Sequence, residues 1–489
     1  MSSQRRPASH FPVVPGFHPD PSVVRVGEEY FLATSTFEYA PGVPIHRSTD
    51  LVHWEQIGHA LTREDQWPLG TFRDSRGIFA PTLRYHDGKF WMIVTDVDGG
   101  GGQILVTAED PAGEWSPAVR FPEVHGIDPD IAWDDEDRCL VTFCATLEPV
   151  IHIMQVEVDP STGATLEPPR SMWSGTGLNH PEAPHLIRRG DWWYLMIAEG
   201  GTHTGHAVSI ARSRDPRGPF DGAPHNPILS HRSLGHPVQS TGHADLVERP
   251  DGSWAILYLA TRPRGGFPGW HVNGRETFLA DVIWREDWPF VEPSEIEVAP
   301  PAWFTETFDS WPLHPRWVSP GLLPQDFASP APGGGLELRE ALAPSGSASM
   351  IAARCTEERW QVSAALEPGS GVAALRVRMD ERHWAEVRVG DGEVAAVLHV
   401  GELEQVLGTV PAPEGPVRVG ARAVDPSTNG PDDLELLVQL AGGTHVLGRL
   451  DGRYLSTEVG GGFTGRMWGV RAVRGPVIVR ELAVGPLED

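Results

Sequence analysis

Five times between residues 11 and 300, a tight-turn signal is followed by a run of apolar and aromatic residues. The copies are GEEYFLATST (27–36), DGKFWMIVTD (87–96), EDRCLVTFCA (136–145), GDWWYLMIAE (190–199) and DGSWAILYLA (251–260). Their starting points lie 60, 49, 54 and 61 residues apart, which leaves each copy room for one four-stranded unit and its loops. Each run is preceded by a second short strand with proline near its start: PDPSVVRV, APTLRYH, DPDIAWDD, EAPHLIRR and HADLVERP. A third strand with an Asp turn and an aromatic recurs as IHRSTDLVHW, ILVTAEDPAGEW and SIARSRDPRGPF. This periodicity predicts a five-bladed β-propeller over residues 1–302, with the proline-led strands innermost.

After about residue 302 the pattern becomes strict period-two alternation, as in GVAALRVRMD, HWAEVRVGD, EVAAVLHVGE and DLELLVQLAGG, punctuated by Gly-Asp turns. Alternation of that kind marks antiparallel strands with one buried face. Residues 303–489 are therefore expected to form a β-sandwich of the concanavalin or jelly-roll type. The stretch AVDPSTNGPDD (423–433) reads as a mobile surface loop.

Composition agrees with an all-β protein: 54 Gly, 46 Pro and 18 Trp in 489 residues, with few runs of helical period. A net charge of −27, from 39 basic and 66 acidic residues, repels nucleic acid and anionic membranes and favours a neutral partner. The opening MSSQRRPASHFPVVPG lacks the apolar core of a signal peptide and no segment reaches transmembrane length, so a cytoplasmic location is expected. Cys139, Cys144 and Cys355 have no CxxC spacing, which argues against a disulfide framework or a zinc site. They read as small buried hydrophobes.

The candidate chemistry comes from the repeat. The residues seven or eight positions before each turn are Asp20, Ala80, Asp128, Glu182 and His243. In a propeller these positions converge at one end of the central channel, which would bring three carboxylates and a histidine together. Crowded carboxylates repel and persist where a function requires them. Prolines at 19, 21, 129, 181 and 184 restrict the backbone around them, as acid/base catalysis needs. Two such groups flanking a sugar can hydrolyse its glycosidic bond, one activating water and one protonating the leaving oxygen, with inversion when they stand far apart. A third anion raises the pKa of the acid and keeps it protonated.

Other polar residues receive plainer readings. Asp130, Asp134 and Asp135 look like solvated turn carboxylates, and His203 and His206 like surface residues. Trp91, Trp192, Trp193 and Trp254 read as packing between blades. In HPEAPH the prolines and spacing rule out the HExxH zinc geometry.

The segments GFHPDPSVVRVGEEYFLATSTFEYAPGVPIHRSTDLVHWEQIGHAL, IDPDIAWDDED, HPEAPHL, AEGGT, GHADLVE and GRETFL, in this order, resemble glycoside hydrolase family 43, in particular its β-xylosidases and α-L-arabinofuranosidases. The resemblance spans nearly the whole chain. It implies Asp20 as general base, Asp128 as the residue that adjusts pKa and orients substrate, and Glu182 as general acid. It implies that Arg275 contacts the bound sugar and stabilises the ionised base, and that Phe37 lines the terminal-sugar pocket. His243 matches a channel histidine that in some relatives binds calcium, often through water; no cofactor is otherwise required. Relatives commonly carry Trp where SRGIFAP has Phe79. A sandwich loop crosses the pocket in similar enzymes, and EVGGGFTGRMWG with Phe463 is the matching segment here.

The expected function is an inverting exo-glycosidase that releases xylose or arabinofuranose from short oligosaccharides. An arabinofuranosidase alone, or a non-catalytic glycan-binding propeller, are the alternatives. A retaining fructan-cleaving propeller is disfavoured because no WMNDPNG-like opening is present. The partner expected is a small oligosaccharide, with neither nucleic acid nor membrane, and a homo-oligomer is left open.

Overall fold

Long apolar runs in a strand call for burial on both faces, and the second strand of every repeat meets that demand. The computed structural model describes residues 6–68, 73–98, 102–145, 152–300 and 303–487. Its first part holds five antiparallel sheets, whose first strands are Ser22–Val26, Ile78–His86, Ile127–Trp133, Glu182–Arg189 and Gln239–Glu248. Alternate residues of the second strands enter different cores. Phe90, Met92 and Val94 pack towards sheet one, whereas Ile93 joins Ile131, Val141 and Phe143 of sheet three. Leu140 and Leu195 fill the gap between sheets three and four, Tyr194, Met196, Ile256 and Tyr258 that between four and five. Leu32, Leu257 and Leu279 join sheet five back to sheet one. All-β architecture is thus observed, in an arrangement consistent with the expected propeller.

The first strands also neighbour one another in cyclic order, and one guanidinium ties them. Arg84 Nη1 donates to Asp245 Oδ2 at 2.8 Å and to Ser22 Oγ at 3.1 Å, while its Nη2 donates to Asp130 Oδ1 at 2.7 Å and to His185 Nδ1 at 2.9 Å. These partners come from the first strands of sheets five, one, three and four. Asp130 is therefore no solvated turn residue: it is fully buried, because an arginine of another sheet neutralises it. Asp134 is corrected likewise, being buried against Arg138 and Arg217, and of the three only Asp135 is exposed. Removing one member of a buried charge cluster leaves the others uncompensated. Arg84→Met should lower folding stability by about 3–5 kcal/mol, read as a drop in melting temperature; an unchanged melting point would refute the hub.

Residues from Phe304 onwards build two further sheets, one of eight and one of six strands. Their alternating residues, among them Val362, Leu366, Val419 and Leu436 from the larger and Leu375, Val387, Val394 and Val470 from the smaller, interdigitate in one core. The period-two pattern of the sequence is the signature of these half-buried sheets. The 423–433 stretch is only partly the expected surface loop. Residues 425–429 are exposed, but Asp432 is buried and accepts from Arg466 at 2.6 and 2.9 Å.

The two parts of the chain meet closely. Ser319–Pro320 pairs with Tyr39–Ala40 as an added short ladder. Arg378, fully buried in the six-stranded sheet, donates to Tyr39 Oη at 2.6 Å, to Asp74 Oδ1 at 2.6 Å and to Glu38 Oε1 at 3.4 Å. Phe37, next to Glu38, is held by a backbone bridge to Ile78, with hydrogen bonds of 2.9 and 3.1 Å.

Candidate active site

In sheets two to five the register of the first strand slips where the repeat places its candidate residue, whereas Asp20 lies just before the regular ladder of sheet one. Shifts fall between Ile78 and Pro81, Ile127 and Asp130, Glu182 and His185, and on both sides of Gly242. Such bulges re-aim side chains out of the regular ladder. Asp20 and Asp128 adopt left-handed backbone with φ of 57° and 54°, and His243 has φ 38°. A residue with a Cβ gives up roughly 1–2 kcal/mol in that region, a cost tolerated where placement matters for function.

All eight candidate site residues line one small cavity of about 90 Å³: Asp20, Phe37, Phe79, Asp128, Glu182, His243, Arg275 and Phe463. Ala80, Ile127 and Thr202 complete it. Asp20 Oδ2 accepts from Ser35 Oγ at 2.6 Å, and its Oδ1 stands 3.3 Å from Arg275 Nη1 and 3.4 Å from His243 Nδ1. Burial alone would raise the pKa of Asp20, but Arg275, His243 and the Ser35 hydroxyl outweigh it and hold the carboxyl below its ordinary value. Asp128 behaves in the opposite way. Burial first, then the charges of Glu182 and Asp20, push it well above the ordinary range, against a bond from the Ala183 amide (3.1 Å) and the charge of Arg275.

Glu182 is pushed up to about 7, by burial foremost and by Asp20, with Arg275 opposing. Asp128 and Glu182 titrate as a coupled pair that retains a proton near neutral pH. The cavity thus combines an ionised carboxylate with a protonated one, which is the division of labour required of a base and an acid.

Arg275 is buried, not a surface charge. It also donates to Thr202 Oγ1 at 3.1 Å, and its guanidinium lies 5.6 Å from the Phe37 ring and 5.2 Å from that of Phe463. Phe37, Phe79 and Phe463 form a mutual trio, with centroids 5.3, 5.7 and 5.9 Å apart. Phe463 belongs to the loop after the Thr457–Gly460 turn of helix, and its amide donates to Ser75 Oγ at 2.8 Å. The Ser75 amide in turn donates to Glu38 Oε2 at 2.9 Å. The second part of the chain therefore supplies one wall of the cavity.

That wall depends on a close backbone approach. A Cβ at Gly465 would stand 2.3 Å from the Asn273 carbonyl oxygen and 2.6 Å from the Gly274 nitrogen, atoms that cannot swing away. Gly465→Ala should push the Phe463 loop off the Arg275 turn and reduce kcat/KM by about tenfold or more. Steady-state kinetics checks this, and wild-type values would show that the contact is dispensable.

Two residues were not singled out correctly from sequence. Thr202 lies in the AEGGT motif without any chemical mark of its own. His206, expected at the surface, is 1% exposed: its ring packs on Gly242 of the neighbouring sheet, a contact no local pattern announces. His203 is exposed, as expected.

Among the described residues no group of three or more His, Cys, Asp or Glu could hold a metal ion. The carboxylate nearest His243, Asp20, is already met by Arg275.

Comparison with known proteins places this architecture. Residues 9–289 match the family model of glycosyl hydrolases family 43, and residues 305–476 that of the β-xylosidase C-terminal concanavalin A-like domain. A "Xylosidase/arabinosidase" of Butyrivibrio fibrisolvens is 39% identical over 387 residues, 73% of this chain and 74% of the relative. A "Non-reducing end alpha-L-arabinofuranosidase" of Bacteroides ovatus is 45% identical over 285 residues, 57% of this chain and 53% of the relative. Among solved structures, a family 43 protein of the Bacteroides ovatus xyloglucan locus superposes with TM-score 0.88 at 33% identity, covering 98% of this chain and 99% of its own. A xylan β-1,4-xylosidase of Bacillus halodurans gives 0.87 at 28% identity, covering 97% and 99%.

Fold, cavity and likenesses together define a glycosidase. The chain belongs to glycosyl hydrolases family 43.

Proposed function

We propose that this enzyme is an inverting exo-glycosidase that releases a terminal pentose, β-1,4-linked xylose or α-L-arabinofuranose, from short xylo- or arabinoxylo-oligosaccharides. Asp20 acts as general base on the attacking water, Glu182 as general acid on the leaving oxygen, and Asp128 as the neighbour that keeps Glu182 protonated and orients the sugar. The observation that carries this reading is the opposed titration of Asp20 and the Asp128–Glu182 pair inside one cavity. Arg275 steadies the ionised base while the three phenylalanines supply apolar walls for a sugar face. No step is routed through an ion or cofactor. The small volume of the cavity and the Phe463 wall support cleavage at a chain end.

In the same reading the five sheets close as a five-bladed propeller around the Arg84 hub, and the two domains divide at 302/303. The free, buried state of all three cysteines supports a cytoplasmic, reducing location, and no helix among the described residues is long and apolar enough to cross a membrane. The substrate is a neutral oligosaccharide, not a nucleic acid or a membrane lipid, and self-association is compatible with this arrangement.

Proton NMR of a fresh digest tests the mechanism. Inversion makes the α-anomer of xylose appear first from a β-xyloside; first appearance of the β-anomer would overturn it. Rates on the two nitrophenyl pentosides rank the substrates.

A further inference from the structure

We propose that His206 is a positioning residue for the general acid: its Nε2 lone pair faces Glu182 and favours the protonated carboxyl. The inference rests on Glu182 being the acid, as argued above.

Four observations carry it. His206 Nε2 stands 3.8 Å from Glu182 Oε1. That nitrogen is buried without any hydrogen-bond partner, a state that costs free energy unless a donor arrives. The other ring nitrogen, Nδ1, lies 3.3 Å from the Ser240 carbonyl oxygen. A carbonyl only accepts, so Nδ1 carries the ring proton and Nε2 is left as an acceptor. Finally, the ring fits only because residue 242 is glycine: a Cβ there would stand 2.1 to 2.3 Å from its ring atoms. The sheet has been opened at that point to seat this imidazole.

An acceptor facing a carboxylate oxygen is repelled by it, whereas the same acceptor is satisfied by a carboxylic acid O–H. The pocket around the pair sets the remaining balance. Asp20 disfavours a charge on Glu182, Arg275 favours it, Asp128 is itself pushed well above its ordinary range by burial and by Glu182, and Cys144, whose thiol donates to the Pro181 carbonyl oxygen, stays neutral because burial pushes its pKa up. His206 itself stays neutral: burial foremost lowers its pKa to about 3, aided by Arg275 and His243, with the Ser240 carbonyl and Asp20 opposing. The proton therefore remains on Glu182 until the leaving oxygen takes it. His206 neither gains nor loses one.

The test compares His206→Phe with wild type on the pentoside the enzyme cleaves, using a disaccharide and a dinitrophenyl leaving group. Loss of the lone pair should move the alkaline limb of kcat/KM down by roughly half to one pH unit. The disaccharide should lose roughly two- to sixfold at neutral pH, the fall in protonated Glu182 that such a shift from about 7 produces, and the dinitrophenyl substrate, which needs little protonation, almost nothing. Gly242→Ala, which displaces the ring without removing it, should shift the limb in the same direction and serves if His206→Phe does not fold. An unmoved alkaline limb in folded variants, or equal losses on both substrates, would show that His206 only packs. Glu182→Gln is the separate control: full activity on the disaccharide would overturn the acid assignment itself, whatever His206 does.

Discussion

Asp20→Asn is expected to reduce kcat on any pentoside by about 10²–10⁴-fold, the contribution typical of a positioned general base. The amide has nearly the shape of the carboxyl but cannot take a proton from water. The Ser35 contact and the neighbourhood of Arg275 and His243 hold Asp20 ionised, and all of that investment is lost with the charge. Saturating kinetics with a circular dichroism check of folding measures the effect, and a loss smaller than about tenfold would remove Asp20 from the mechanism.

Glu182→Gln should produce a second large loss, with a different signature. Disaccharide cleavage should fall about 10²–10⁴-fold because the leaving alkoxide is no longer protonated, while dinitrophenyl substrates suffer far less. The pH profile supplies an independent check. Glu182, raised to about 7, is the protonated partner, so wild-type activity should fall as pH rises through that region. Asp20, held below its ordinary value, must be ionised, so activity should fall on the acid side only below the usual aspartate range. The optimum therefore lies on the acid side of neutrality. In Glu182→Gln the alkaline limb should vanish; its persistence would assign it to another group.

The repeat was readable because it is a packing necessity. A strand buried on both faces must be apolar at consecutive positions, and DGKFWMIVTD carries that demand in its composition: Met92 enters one core and Ile93 the next. The frame of Asp20, Asp128, Glu182 and His243 was readable for a related reason. Residues at one offset in equivalent strands occupy equivalent places, so counting back from the turn locates them without knowing the sheets. Arg275 and Phe463 had no such frame, and only the resemblance to family members drew them out.

What escaped the sequence was pairing across sheets. Asp130 sits two residues from Asp128 in an acidic stretch and looks solvated until Arg84, from another sheet, is seen bonded to it at 2.7 Å. His206, in the polar stretch THTGH, looks exposed until the bare backbone of Gly242 is found beneath its ring. Both errors have one origin: burial of a polar group is decided by what arrives opposite it.

The amino-acid sequence by itself showed the all-β character, the five recurring pairs of strands, the change from a repeated to an alternating pattern, and three carboxylates in one frame, because periodicity and offset are properties of the chain. Tertiary structure alone decided that Asp20 is held ionised by Arg275 and His243 while the Asp128–Glu182 pair is pushed up, and that His206 Nε2 comes within 3.8 Å of Glu182. The physical reason is that charge, desolvation and steric fit act over a few ångströms of space, and residues tens to hundreds of positions apart supply them.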